Sequence, residues 1–194
     1  HDAPYIHGAH GPETVAAMTC AALAVRKAAP ELPLGVQILS GGNREAIAVA
    51  FASNVIKSRG MFIRCENFVF SHVADEGLLP VAEAGPLLRY RRQIGAEEVQ
   101  IFCDIKKKHA SHAITSDIGI ADAVEAAEFF GADGVIVTGS ATGKPVSMQD
   151  LRQARKATKL PVLVGSGVTP DTAPGLLKYA DALIVGSWLK KDGH

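Results

Sequence analysis

The sequence has 194 residues, 47% of them hydrophobic, which is enough to bury one sizeable core. Twenty Lys and Arg balance twenty Asp and Glu, and aromatic residues make up only 6%. Without a basic excess or a base-stacking surface no nucleic-acid partner is expected, and no apolar run is long enough to span a bilayer. The three cysteines, Cys20, Cys65 and Cys103, are odd in number, widely spaced and free of any Cys-x-x-Cys pair. They read as reduced thiols of a soluble intracellular protein, not as a disulfide scaffold or a zinc site.

One pattern recurs along the chain. A helix over 12–28 comes first, with Pro12 at its start. Apolar strand-like runs follow at 34–39, 61–65, 99–105, 134–138, 161–165 and 182–186. They are rich in Val, Ile, Leu and Phe with little polar alternation, as strands of a covered parallel sheet are. Between them, apolar residues at helical spacing predict helices over 44–59, 81–94 and 117–130. Ser147 with Asp150 resembles a capping box, and Thr169-Pro170-Asp171 reads as an N-cap followed by Pro at the first helical position. Residues 68–80 read as a long loop, a lid or a partner surface.

Alternating strands and helices make βαβ units with right-handed crossovers. About six strands are visible, whereas a closed (β/α)₈ barrel needs eight. Two architectures fit: an open doubly wound sheet, or a TIM-type barrel whose first two strands are absent from this chain. The leading helix, which lacks a strand to feed it, favours the barrel. No composition shift splits the chain, so 1–194 is expected to be one α/β domain.

In both architectures ligands bind at the carboxyl ends of the strands. Three Gly-rich turns lie there: Thr138-Gly139-Ser140-Ala141-Thr142-Gly143, Gly165-Ser166-Gly167 and Gly186-Ser187. Gly139, Ser140, Gly143, Gly165, Ser166, Gly167, Gly186 and Ser187 are the expected phosphate-binding set, since such turns let several N–H groups converge on one anion. Short αβ connections also require Gly, so turn chemistry alone remains the plainer reading.

The third strand runs out into Asp104-Ile105-Lys106-Lys107-Lys108-His109. Asp104, Lys108 and His109 are the expected catalytic groups: a carboxylate at the barrel mouth, an ammonium and an imidazole. Lys106 is an alternative to Lys108, and a solvated lysine run is the plainer reading. Arg64, Glu66 and Asp75 are expected to bind substrate, although Arg64 and Glu66 share one side of their strand and are placed to pair with each other. Asp75 or Glu76 is a further candidate base in the 68–80 loop. The seven His form no HxH or HExxH, and no Walker or dinucleotide motif occurs, so neither a metal nor a cofactor is expected.

Several of these segments together resemble the BtpA/SgcQ family: Arg89-Tyr90-Arg91-Arg92, the 104–109 segment, the three Gly-rich turns, and Ile184-Val185-Gly186-Ser187 with Lys190. Asp2-Ala3-Pro4-Tyr5 is similar to that family's Asp-x-Pro-aromatic segment after its second strand. The resemblance implies a (β/α)₈ barrel beginning, in this chain, at the second βα loop. The family's cyanobacterial members are associated with assembly and stability of photosystem I, and others occur where that role cannot apply. Two functions are therefore expected in competition. One is an enzyme of the isomerase, epimerase or lyase type acting on a small phosphorylated molecule. The other is a non-catalytic assembly factor built on an enzyme-like barrel. A ligand-binding sensor is a third, lesser reading, and a homo-oligomer is compatible with all of them.

Overall fold

The computed structural model describes residues 5–8, 10–54 and 60–191. Helix α1 (Pro12–Ala28) precedes β1 (Leu34–Val36), α2 (Asn43–Ser53) and β2 (Met61–Cys65). A hairpin, β3 (His72–Ala74) and β4 (Gly77–Leu79), leads to α3 (Ala84–Gln93) and β5 (Val99–Ile105). Then come β6 (Ala110–Ser111), α4 (Ile120–Phe129), β7 (Gly134–Val137), α5 (Met148–Ala157), β8 (Val162–Val164), α6 (Ala173–Leu176) and β9 (Ala182–Leu183).

The main sheet has six parallel strands in the order β1-β2-β5-β7-β8-β9. Each strand lies beside the next one of its kind in sequence, as successive βαβ crossovers require. The sheet curls into a half-barrel. Its outer face packs on the helices through Ile63, Cys65, Ile101, Cys103, Val135, Val137 and Val164. Its other face carries a smaller cluster, Phe102, Ile136 and Leu163 with Phe62 and Ile184. Burial on both faces explains why the strands read as apolar runs with little polar alternation.

Two aromatic rings fill this inner layer edge to face, Phe62 and Phe102, with centroids 5.3 Å apart. Space for them comes from glycine on the neighbouring strands. A Cβ at Gly134 would stand 1.9 Å from the Phe102 ring, and one at Gly35 would stand 2.4 Å from Phe62. Outside the sheet one device occurs twice. Asp133, just before β7, accepts from Ile101 N–H and from Arg91 of α3. Asp181, just before β9, accepts from Val162 N–H and from Arg155 of α5. Each carboxylate ties a strand start to the helix beside it.

The structure departs from the sequence reading in several places. The helices expected over 81–94 and 117–130 start at Ala84 and Ile120, and the runs at 34–39 and 182–186 form strands only over Leu34–Val36 and Ala182–Leu183. Residues 68–80 are not a plain loop: Asp75 and Glu76 form the turn of the β3–β4 hairpin, and β6 joins it in an antiparallel sheet of three strands. Strands of three residues are too short for alternation to reveal. The helix expected over 44–59 ends at Ser53, Asn54 caps it, and 55–59 lie outside the described residues. The last helix starts at Ala173, not at Pro170, because Thr169 and Thr172 exchange hydrogen bonds in the turn before it. The cap at Ser147 is as expected on one side, its Oγ accepting from Asp150 N–H at 3.3 Å.

Candidate active site

The site lies beyond the carboxyl ends of the main strands, where two clefts meet. One, of about 350 Å³, is lined by Gln37, Leu39, Arg64, Glu66, Asp75, Glu76, Asp104, Lys107 and His109 among others. The other, of about 380 Å³, is lined by the Gly165-Ser166-Gly167 and Gly186-Ser187 turns, Gly143, Trp188 and Lys190. Arg64, Lys108 and Thr142 line both.

Two ion-pair systems organise the first cleft. Arg64 leaves β2 on the inner face and forks onto Asp104 of β5, with Nε 3.1 Å from each carboxylate oxygen and Nη2 2.9 Å from Oδ1. Burial pushes the Asp104 carboxyl up, and the guanidinium only partly opposes it. Glu66 does not pair with Arg64. It accepts from Gly41 N–H at 2.8 Å and from Lys107 Nζ at 3.1 Å. The two residues share a side, but the strand has ended by Glu66, and Lys107 reaches it from the 106–109 turn.

Lys107 also reaches Glu76 in the hairpin turn at 3.1 Å, and Ser40 donates to the same carboxylate. All three charged side chains are nearly sealed from solvent, at 7%, 6% and 5% exposure for Lys107, Glu66 and Glu76. Burial presses the Lys107 ammonium down, yet the two carboxylates win and hold it above its ordinary value. Burial likewise raises Glu76, and the bonds from Ser40 and Lys107 outweigh it, leaving Glu76 below the usual carboxylate range. This bridge pins the hairpin over the cleft. Asn43 braces it from α2, donating to Glu66 O and to Glu83, each at 2.8 Å.

Lys108, the next residue, has a different setting. Its N–H donates to Thr138 Oγ1 at 3.0 Å, but its ammonium has no ion-pair partner among the described residues. Burial lowers its pKa and the Arg64 charge lowers it further, with Asp104 opposing. Positive φ angles at Lys106 (46°) and His109 (56°) bracket the pair, so the alternation of the strand is broken there.

His109 stands at the rim, half-exposed. Its Nε2 lies 3.0 Å from both the N–H and the hydroxyl of Thr142, and its Nδ1 faces Asp75 Oδ2 at 3.5 Å. It clasps the hairpin turn to the turn after β7, with both ring nitrogens engaged.

The Gly-rich turns divide into structural and open groups. Gly139 N–H donates to Ser166 Oγ at 2.7 Å, and that hydroxyl donates to Lys144 O at 3.0 Å. Gly165 N–H joins the sheet through Val137 O. Ser140 is exposed, and its carbonyl accepts from His109 N–H. Gly167 takes φ +68°, with Pro145 Cα 2.4 Å from where a Cβ would be, so no other residue fits. The N–H groups of Gly167, Gly186 and Ser187 find no acceptor among the described residues. The cleft beside them is lined by Arg64, Lys108 and Lys190 and by no carboxylate.

A small cavity of about 20 Å³ lies behind Asp104, lined in part by Asn67, His72 and His112. His72 Nε2 and Asn67 Oδ1 are buried there without partners. Burial, with the Lys107 and His112 charges, lowers His72 to about 4 from the usual 6.5. The fold therefore holds His72 neutral, and the unfolded chain takes up the proton first as pH falls. This contribution is complete above pH 6.5 and is lost as pH falls toward 4, on the order of 2–3 kcal/mol. Urea unfolding at pH 7.5 and pH 4.5 should show this loss in the wild type and a smaller one in His72→Gln; equal losses would contradict it.

Sequence reasoning named Asp104, Arg64, Lys108 and the turns as candidates, and the structure brings them to one mouth. It missed Lys107, Ser40, Asn43 and Thr142. In a run of three lysines nothing marks the middle one as buried, and its partners lie 41 and 31 residues away.

The model of the BtpA family matches residues 1–194. The chain belongs to the BtpA family. An uncharacterised mitochondrial protein of Caenorhabditis elegans is 45% identical over all of this chain and 69% of its own length. The photosystem I biogenesis protein BtpA of Synechocystis is 33% identical over all of this chain and 64% of its own length. The chain thus spans about two thirds of these BtpA-family relatives. Among solved structures, a candidate phosphonomutase of Burkholderia cenocepacia superposes with a TM-score of 0.60 at 19% identity, over 90% of this chain and 70% of that one. Likeness at that identity concerns the fold alone, and the neighbours of this BtpA-family chain are TIM-barrel enzymes. No described helix is long and apolar enough to cross a membrane.

Proposed function

We propose that this BtpA-family protein is an enzyme that binds a small phosphorylated metabolite, a sugar or nucleoside phosphate, at the carboxyl ends of its strands. The observation that carries the reading is the cleft lined by the basic side chains of Arg64, Lys108 and Lys190 and by no carboxylate, beside open N–H groups at Gly167, Gly186 and Ser187. A phosphate there gains charge-assisted hydrogen bonds at little desolvation cost to the protein. The adjoining cleft then receives the rest of the molecule next to Asp104, Glu66, Asp75 and His109. Arg64, at the junction, stabilises negative charge that develops on the substrate, as an isomerase, epimerase or lyase step requires. Asp104 orients Arg64 and, at the end of β5 in the same cleft, is the carboxylate that takes or gives a proton in this reading. The half-barrel is, in this reading, the larger part of a (β/α)₈ barrel.

The second reading, a non-catalytic assembly factor, rests on the name of the Synechocystis relative and on an exposed apolar pair, Phe129 at 85% and Phe130 at 51%. A thermal-shift screen of phosphorylated sugars, nucleotides and inorganic phosphate separates the two. A ligand at 100 times its Kd should stabilise by about 2.7 kcal/mol, a shift of roughly 5–10 °C. A cooperative melt that no phosphorylated compound moves would overturn the enzyme reading.

A further inference from the structure

We infer that Lys108 is a nucleophilic amine, and that the phosphorylated substrate carries an aldehyde or ketone which Lys108 captures as an imine. The inference rests on the phosphate reading for its substrate class and on the placement of Lys108 for its chemistry.

Lys107 and Lys108 are adjacent yet have opposite settings. Lys107 is neutralised by Glu66 and Glu76. Lys108 is half-buried at the wall between the two clefts, with no carboxylate at pairing distance among the described residues. The nearest carboxylate, Asp104, is already occupied by the Arg64 fork. A second cation beside a half-buried lysine disfavours its ammonium, and burial acts in the same direction. A lysine that only bound phosphate would be served by a full positive charge. One held beside another cation and partly desolvated is set up to supply a free amine.

The backbone aids the placement. Lys108 N–H is fixed on Thr138, and the positive φ at Lys106 and His109 sets the turn that presents it. A phosphate on the Gly167 and Gly186 turns leaves a carbonyl a few bonds away within reach of the junction. The neutral amine adds its lone pair to the carbonyl carbon and forms a C–N bond. The carbonyl oxygen leaves as water with the two protons of the amine, and a proton from solvent completes the iminium. That iminium withdraws electrons from the adjacent carbon, which suits either a proton shift or a carbon–carbon cleavage.

The test is borohydride trapping on the full-length protein with glyceraldehyde 3-phosphate and dihydroxyacetone phosphate, followed by peptide mapping. Unphosphorylated glyceraldehyde is the control, and inorganic phosphate the competitor. One reduced adduct per chain on Lys108 is expected, suppressed by inorganic phosphate and lost in Lys108→Arg. No adduct, or labelling spread over surface lysines, overturns the inference. Thermal shifts with inorganic phosphate, measured in parallel, separate it from the binding reading. A shift without an adduct removes the imine and keeps the anion site. An adduct on Lys108 that forms equally with glyceraldehyde, in a protein that phosphate does not stabilise, keeps the amine and removes the anion site.

Discussion

Lys107→Met is expected to cost about 3–5 kcal/mol, the penalty for leaving buried charge without its partner. Among the described residues Lys107 is the only cation in contact with Glu66 and Glu76, and both carboxylates are nearly sealed from solvent. Removing it leaves two carboxylates facing each other across a dry gap, so at least one must take up a proton or draw water in. For a chain of this size the loss corresponds to a fall in Tm of roughly 6–20 °C. The damage should be specific to the network. Adding Glu66→Gln and Glu76→Gln to the Lys107→Met protein should restore part of the stability, because the charges that needed the lysine are then gone. Lys159→Met, on an exposed lysine, should stay within about 0.5 kcal/mol of the wild type. Calorimetry showing Lys107→Met within a degree or two of the wild type would remove the bridge from the account.

Asp104→Asn is expected to destabilise by about 3 kcal/mol for the same physical reason with the sign reversed. The variant keeps the shape but leaves the Arg64 guanidinium, only 14% exposed, without its carboxylate. It also removes the one charge that holds the Lys108 ammonium up. The Lys108 amine should then be more reactive, acetylated faster by acetic anhydride at pH 8 than in the wild type. A variant that melts like the wild type and reacts no faster would show that Asp104 is not coupled to either cation.

Much of the fold was legible because its strands are covered on both faces. Val, Ile, Leu and Phe dominate β2, β5 and β7 with few polar residues between them, and a Gly-rich turn marks the end of β7. The hairpin over the mouth was not legible, since His72–Ala74 and Gly77–Leu79 are too short to show a period. Within the site, residue types and positions at strand ends pointed to Asp104, Arg64 and Lys108. Pairing did not follow from spacing. Arg64 lies on β2 and Glu66 just past its end, two positions apart, yet each binds a residue about 40 positions away. Nor did sequence separate open turns from structural ones: Ser166 and Gly139 belong to the expected phosphate set but spend their polar groups on each other.

The proposed function depends on an anion site between the turns after β8 and β9. Calorimetric titration of inorganic phosphate into the wild type and into Lys190→Glu measures that site. Lys190 is exposed on the cleft wall, so the substitution reverses local charge without touching the core. Saturable binding to the wild type is expected, weakened at least about tenfold in the variant, the factor that about 1.4 kcal/mol represents. Absence of binding to the wild type, or equal affinity in both proteins, would contradict it.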